Sequence, residues 1–181
     1  MTHATDHLSG LSCLMAADGV LPDRFREVMA AVCTPVSVIT AMDGLRPHGT
    51  TVSAFASLSV TPPMVLICLD RRSELLTLVR AGRRFGVNIL GNMQAGLALR
   101  FARKGPDKFA GVCWSLRHDL PRLTGAAGWL ACDLAGLVPG GDHLIVLGHV
   151  VDAESMPTLP LTYHSRIFGT HTPARSQPVR G

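Results

Sequence analysis

A mainly β architecture, an antiparallel barrel carrying peripheral helices, follows from three observations on this chain. Segments with strand-like alternation outnumber helix-like ones, about six or seven against three. The strands do not alternate one-for-one with helices, which disfavours a doubly wound parallel sheet. Two long apolar segments, 129–138 and 142–151, flank Pro139-Gly140-Gly141 and read as a hairpin.

Composition bounds the rest. With 181 residues, 47% hydrophobic and 17% charged, the chain is expected to fold as one domain. That domain is placed at 22–171, between a flexible arm (1–21) and a disordered tail (172–181). So little charge also implies that part of the surface meets another subunit. The net charge is +4, but the basic residues are scattered, and the densest group is Arg100, Arg103, Lys104 and Lys108. A small phosphorylated ligand suits that group better than nucleic acid does. The five cysteines are far apart and form no C-x-x-C pair, so neither a metal site nor a disulfide framework is expected. No apolar run reaches the roughly 18 residues that span a bilayer. No signal-peptide pattern opens the chain, and a cytoplasmic protein fits these features.

The elements follow in order. Residues 22–32 read as a helix with Asp23 as N-cap and Phe25, Val28, Met29 and Val32 on one face. Thr34-Pro35 ends it, and 36–41 is a strand. A turn at 42–47 leads into an uncharged stretch from His48 to Pro63, followed by the buried strand 64–69. A helix runs from Glu74 to about Arg80, with Leu75, Leu76 and Val79 inward and Gly82 as its stop. Strand 84–90 precedes a helix over 92–103, with Met93, Leu97, Ala98 and Phe101 as candidates for its inner face. A short strand at 112–116 precedes the hairpin.

The stretch from Thr50 to Ser57 alternates small hydroxyl and small apolar residues, where an ordinary half-buried strand would show long polar side chains. It is either an interior strand at a tight bend or a platform on which a flat ring meets the N–H groups of Val52–Ala54. In the second case Thr51 and Ser53 add hydroxyl bonds. Asp70-Arg-Arg-Ser73-Glu74 opens a helix. Ser73 is there a plain N-cap, or the helix start and its arginines form an anion site. Arg100 to Lys108 is a cation-rich helix end or a basic lip for phosphates. His143 follows Gly140-Gly141-Asp142 in a turn from which an imidazole can reach a cleft, with Asp142 orienting the ring. Tyr163 and Phe168 either plug the barrel or lid a flat ligand. No nucleotide-binding glycine fingerprint or hydrolytic constellation occurs, so a cofactor is expected to supply any reactivity.

Together these segments resemble the short-chain flavin reductase family. The likeness rests on 25–32, 34–40, Gly49-Thr-Thr-Val-Ser-Ala-Phe55, Ser59-Val-Thr-Pro-Pro63, Arg84-Phe-Gly-Val-Asn-Ile-Leu90, Arg100-Phe-Ala-Arg103, Asp107-Lys-Phe109, Gly141-Asp-His143 and Gly148-His-Val150, in that order. The resemblance implies an FMN-binding split barrel that uses NADH or NADPH to reduce FMN or FAD. It also implies homodimers and a partner monooxygenase that receives the reduced flavin. Residue by residue, Thr51, Val52, Ser53 and Ala54 would hold the ring edge, beside Thr50. Cys68, Leu69, Asp70 and Ser73 would line the ribityl and phosphate side. Asn88, Ile89 and Leu90 would contact the tail, with Arg100 and Lys104 at a distal phosphate or adenine. His143 would lie near the nicotinamide, and Tyr163 or Phe168 near the flavin face. Ala54 departs from the serine that many relatives carry. The rival readings are a flavin-retaining electron-transfer protein and a non-catalytic flavin or haem binder of the same fold.

Overall fold

The computed structural model describes residues 20–105 and 107–174. Helix α1 (Val20–Ala30) leads to strands β1 (Thr34–Pro35), β2 (Ser37–Asp43) and β3 (Arg46–Val52). Strands β4 (Phe55–Val60) and β5 (Pro63–Asp70) precede helix α2 (Glu74–Gly82), strand β6 (Arg84–Ile89) and helix α3 (Ala95–Ala102). A small hairpin follows, β7 (Trp114–Arg117) and β8 (Leu120–Leu123), then the long pair β9 (Gly128–Gly140) and β10 (His143–Ser155). Strands β11 (Leu161–His164) and β12 (Ile167–Thr170) complete the described chain. No helix among the described residues is long and apolar enough to cross a membrane.

The main sheet has seven strands in the order β3-β2-β6-β9-β10-β5-β4. Every neighbouring pair in it is antiparallel. Consecutive strands β3 and β4 therefore stand at opposite edges, joined only by Ser53 and Ala54. The sheet must curl until its edges meet at that link, where no ladder seals the seam. The result is a split barrel. The low-profile stretch expected as one strand is thus two strands, because the chain changes sheet edge at Ser53-Ala54.

Two apolar clusters hold the curl. Ile39, Ile67, Phe85, Val87 and Val146 fill its inside, and α2 adds Leu75, Leu76 and Val79. Val36, Val38, Leu90, Ala98, Phe101, Leu123 and Leu161 form the second, beneath α3 and β11. Between them lies Asn88, fully buried. Its Nδ2 donates to Val38 O at 3.2 Å and to Thr40 Oγ1 and Pro121 O at 3.3 Å, while its Oδ1 accepts from Leu123 N–H at 2.7 Å. A buried amide is tolerated only when satisfied in this way. Gly148 is where two strands crowd a ring: a Cβ there would lie 2.5 Å from Phe85 Cζ.

Several expectations differ from the structure. Helix α1 begins at Val20, inside the segment read as an arm, so Asp23 sits in its first turn, paired with Arg26 at 2.6 Å, and does not cap it. Its apolar face is not buried by any of the described residues, and Phe25 is 62% exposed. Gly82 is the last residue of α2; the left-handed stop is Arg83, φ 59°, whose N–H donates to Val79 O. Met93 precedes α3 and is exposed, leaving Ala98 and Phe101 as the buried pair. Strands β8, β11 and β12 had no counterpart in the pattern reading. The remainder of the arm (1–19) and of the tail (175–181) lies outside the described residues.

Candidate active site

A cleft of about 590 Å³ opens along the seam of the barrel. One wall is Thr50 to Ala54; the end of β5 supplies Cys68, Leu69 and Asp70, and the start of α2 supplies Arg72, Ser73 and Glu74. Arg103, Lys104, Gly105 and Lys108 line it from the segment after α3, and His143 stands at the head of β10. The sequence reading placed eleven of its residues here: Thr50, Thr51, Val52, Ser53, Ala54, Cys68, Leu69, Asp70, Ser73, Lys104 and His143. His48, which opens the uncharged stretch, and Glu74, which closes the Asp70–Glu74 segment, also line it although neither was expected as a site residue. Nothing in the pattern of either residue points to a site, since only the fold brings β3 against the first turn of α2.

The wall owes its chemistry to the edge change. The carbonyls of Ser53 and Ala54 accept from Phe55 N–H and Cys68 N–H, both at 3.0 Å. The N–H groups of the same two residues fall outside both ladders. Thr51 donates its hydroxyl to Ala98 O at 2.7 Å, so it ties the wall to α3 and keeps only lone pairs for a ligand. No side chain along this wall is charged or longer than threonine or valine.

The opposite end is cationic but already partly paired. Asp70 accepts from Arg72 N–H at 2.7 Å and from its guanidinium at 3.1 and 3.3 Å. The Arg72 side chain, and then its backbone N–H, hold the Asp70 carboxyl down at about 2, and the same ion pair raises the arginine. Ser73 precedes α2 without a side-chain cap bond, so its hydroxyl is not spent on the helix. The first-turn N–H groups of α2 are those a helix leaves unpaired. Lys108 Nζ donates to Gly49 O and Phe101 O, both at 3.1 Å, and latches the basic segment onto β3 and the end of α3. Burial lowers its pKa. His48 Nε2 lies 3.1 Å from Glu74 Oε2.

His143 Nδ1 lies 2.8 Å from Asp142 Oδ1. The hydrogen bond from His143 holds Asp142 below the usual carboxylate range. An ionised carboxylate only accepts, so the proton belongs on Nδ1 and Nε2 remains for a ligand.

Six expected residues lie elsewhere. Asn88 and Leu90 are fully buried, and Ile89 packs half-buried against the first core. Arg100 donates to Ala110 O at 2.5 Å. Tyr163 and Phe168 pair with ring centroids 5.1 Å apart, and Tyr163 faces a second groove of about 420 Å³ with Phe25, Met29 and Val32. Ser53 borders both openings.

The donor set fits a flavin nucleotide: a flat uncharged ring against free main-chain amides, and a phosphorylated tail toward the cations. Comparison with known proteins gives the same direction. The profile of the flavin reductase like domain matches residues 29–171. The chain is 40% identical over 153 residues to the reductase component of 4-nitrophenol 4-monooxygenase/4-nitrocatechol 2-monooxygenase from Rhodococcus opacus, covering 84% of this chain and 83% of that one. Nitrilotriacetate monooxygenase component B from Mycobacterium thermoresistibile superposes with a TM-score of 0.82 at 31% identity, covering 90% and 96% of the two chains. An NADH:FAD oxidoreductase from Streptomyces globisporus, solved with NAD and FAD fragments, does so at 0.80 and 30% identity, covering 97% and 100%. With its profile matched across the barrel and its relatives covered over most of their length, the chain belongs to the flavin reductase like domain family.

Proposed function

We propose that this chain uses NADH to reduce FMN or FAD and supplies the reduced flavin to a separate monooxygenase. One observation carries the reading: the uncharged wall from Thr50 to Ala54 has main-chain N–H groups outside any ladder and runs into Arg72, Ser73, Arg103 and Lys104. When bound, the flavin takes up a hydride from the reduced nicotinamide, so no side chain need act as a nucleophile.

The protein's part is to bind and orient. The N–H groups of Ser53 and Ala54, just past Val52 at the end of β3, hold the ring edge and face the negative charge that reduction places there. Cys68, Leu69 and Asp70 line the linker of the nucleotide. Ser73 and the first turn of α2 hold its phosphate with Arg72, Arg103 and Lys104. Asn88 acts through the fold, by fixing β2 and β8 behind the wall. His143, held by Asp142, directs Nε2 at the nicotinamide. A second copy covers α1 and the groove at Tyr163, making a homodimer, and the exposed thiols of Cys33 and Cys113 suit a reducing cytoplasm.

Stopped-flow mixing of the protein with flavin and NADH tests this. The visible flavin band should bleach in a single turnover, and His143→Ala should slow the bleaching roughly tenfold while leaving flavin binding intact. A chain that bleaches neither FMN nor FAD with NADH or NADPH is not a reductase.

A further inference from the structure

The turn that carries His143 ends in two outward carbonyls, and one residue of another segment holds both. The backbone N–H of Arg71 donates to Asp142 O at 3.1 Å, and its side-chain Nε donates to Gly141 O at 2.8 Å. These are the only two residues of the turn between the last cross-strand pair, His143 with Gly140. Gly141 has φ 66°, which a glycine adopts without strain at the first position of such a turn. Pairing with β5 also stops at His143 and Asp70. Beyond that point the tip has no ladder, and hairpin tips without outside contacts are where local opening begins.

The residue that holds the tip is itself held. Asp70 takes the Arg72 N–H and guanidinium, and Ser73 N–H donates to Asp70 O at 2.9 Å. The next turn buries Leu75 and Leu76 in the core. Arg72 lines the cleft, whereas Arg71 does not. Its guanidinium is turned toward the hairpin and away from the space where a phosphate would sit.

We propose that Arg71 is a positioning residue for the reductive step: by pinning Gly141 and Asp142 it fixes the His143 imidazole at the mouth of the cleft without touching either nucleotide. This rests on the role assigned to His143 above. The mechanism is mechanical. Asp142 sets the ring through Nδ1; the Arg71 main chain holds the Asp142 carbonyl, and its side chain, the part a substitution removes, holds Gly141.

The test compares Arg71→Ala, Arg71→Lys, His143→Ala and the Arg71→Ala/His143→Ala double variant. Three quantities are read: FMN affinity, the single-turnover rate of FMN reduction by NADH, and the NMR chemical shifts of the His143 ring. Loss of one side-chain hydrogen bond should slow reduction roughly fivefold in Arg71→Ala, with FMN affinity changed less than about twofold. Arg71→Lys keeps a donor and should recover part of the rate. In the His143→Ala background the Arg71 substitution should cost nothing more. The ring resonances of His143 should move in Arg71→Ala. Full additivity in the double variant, or a loss that appears in FMN affinity, overturns the inference. An unchanged rate in His143→Ala removes the histidine's role and with it the kinetic half of the proposal. Unchanged His143 ring resonances in Arg71→Ala remove the positioning itself.

Discussion

Asp70 is the residue on which the cationic end of the cleft turns, because it fixes Arg72 through both side chain and main chain. Its folded pKa of about 2 lies below the ordinary 3.8, so its contribution to stability is complete above pH 3.8 and is lost as pH falls through 2. A carboxyl NMR titration should place the Asp70 midpoint near 2, and Asp70→Asn should lower Tm at pH 7 but not at the acid end. A midpoint near 3.8 would mean that the pair does not hold in solution. Ser73 was legible as an opening residue for α2, yet its hydroxyl makes no cap bond, which no local pattern reveals. Arg71 and Arg72 look equivalent in the sequence. The fold separates them, one toward the hairpin carbonyls and one into the cleft.

Elements were legible where alternation and turn chemistry agree. The β9–β10 hairpin is one case: both strands run with apolar residues inward and the turn carries its glycines. The break between β3 and β4 was not legible, because the alternation of small residues continues through Ser53-Ala54 and only the change of sheet edge interrupts it. Strands β11 and β12 are only four residues each, and the pairing of β11 with β1 on one side and β12 on the other is what makes them strands. Gly148 shows how an element depends on one missing methyl. Gly148→Ala would set a carbon 2.5 Å from Phe85 Cζ and 3.0 Å from Cys132 Cβ, both buried side chains. Overpacking of this kind costs about 1–3 kcal/mol. Thermal unfolding should show Tm lowered by several degrees, with part of the loss recovered by adding Phe85→Leu. An unchanged Tm would show that the β10 backbone shifts freely.

At the scale of the whole molecule, α1 is the outlying piece. Its periodicity was readable from Phe25, Val28 and Met29, but no other described residue buries that face. An isolated helix of that length is marginal in water, so an uncovered apolar face argues for a second copy. Phe25→Asp with Met29→Asp should convert the proposed dimer to monomer in sedimentation velocity. A dimer that survives both substitutions removes α1 from the interface. The antiparallel barrel itself was legible from the order of strands and helices; the open seam was not, since sheet order is a property of the assembled chain.

The latch at Lys108 has a consequence beyond ligand binding. An edge strand's unmatched amides are what allow one chain to template another. On β3 the Lys108 ammonium occupies the outward carbonyl of Gly49, which blunts that border at one point. The bare stretch that remains, at Ser53 and Ala54, is the same one offered to the ring. A ring docked on the Ser53 and Ala54 amides would therefore also cover the donors that the latch leaves bare.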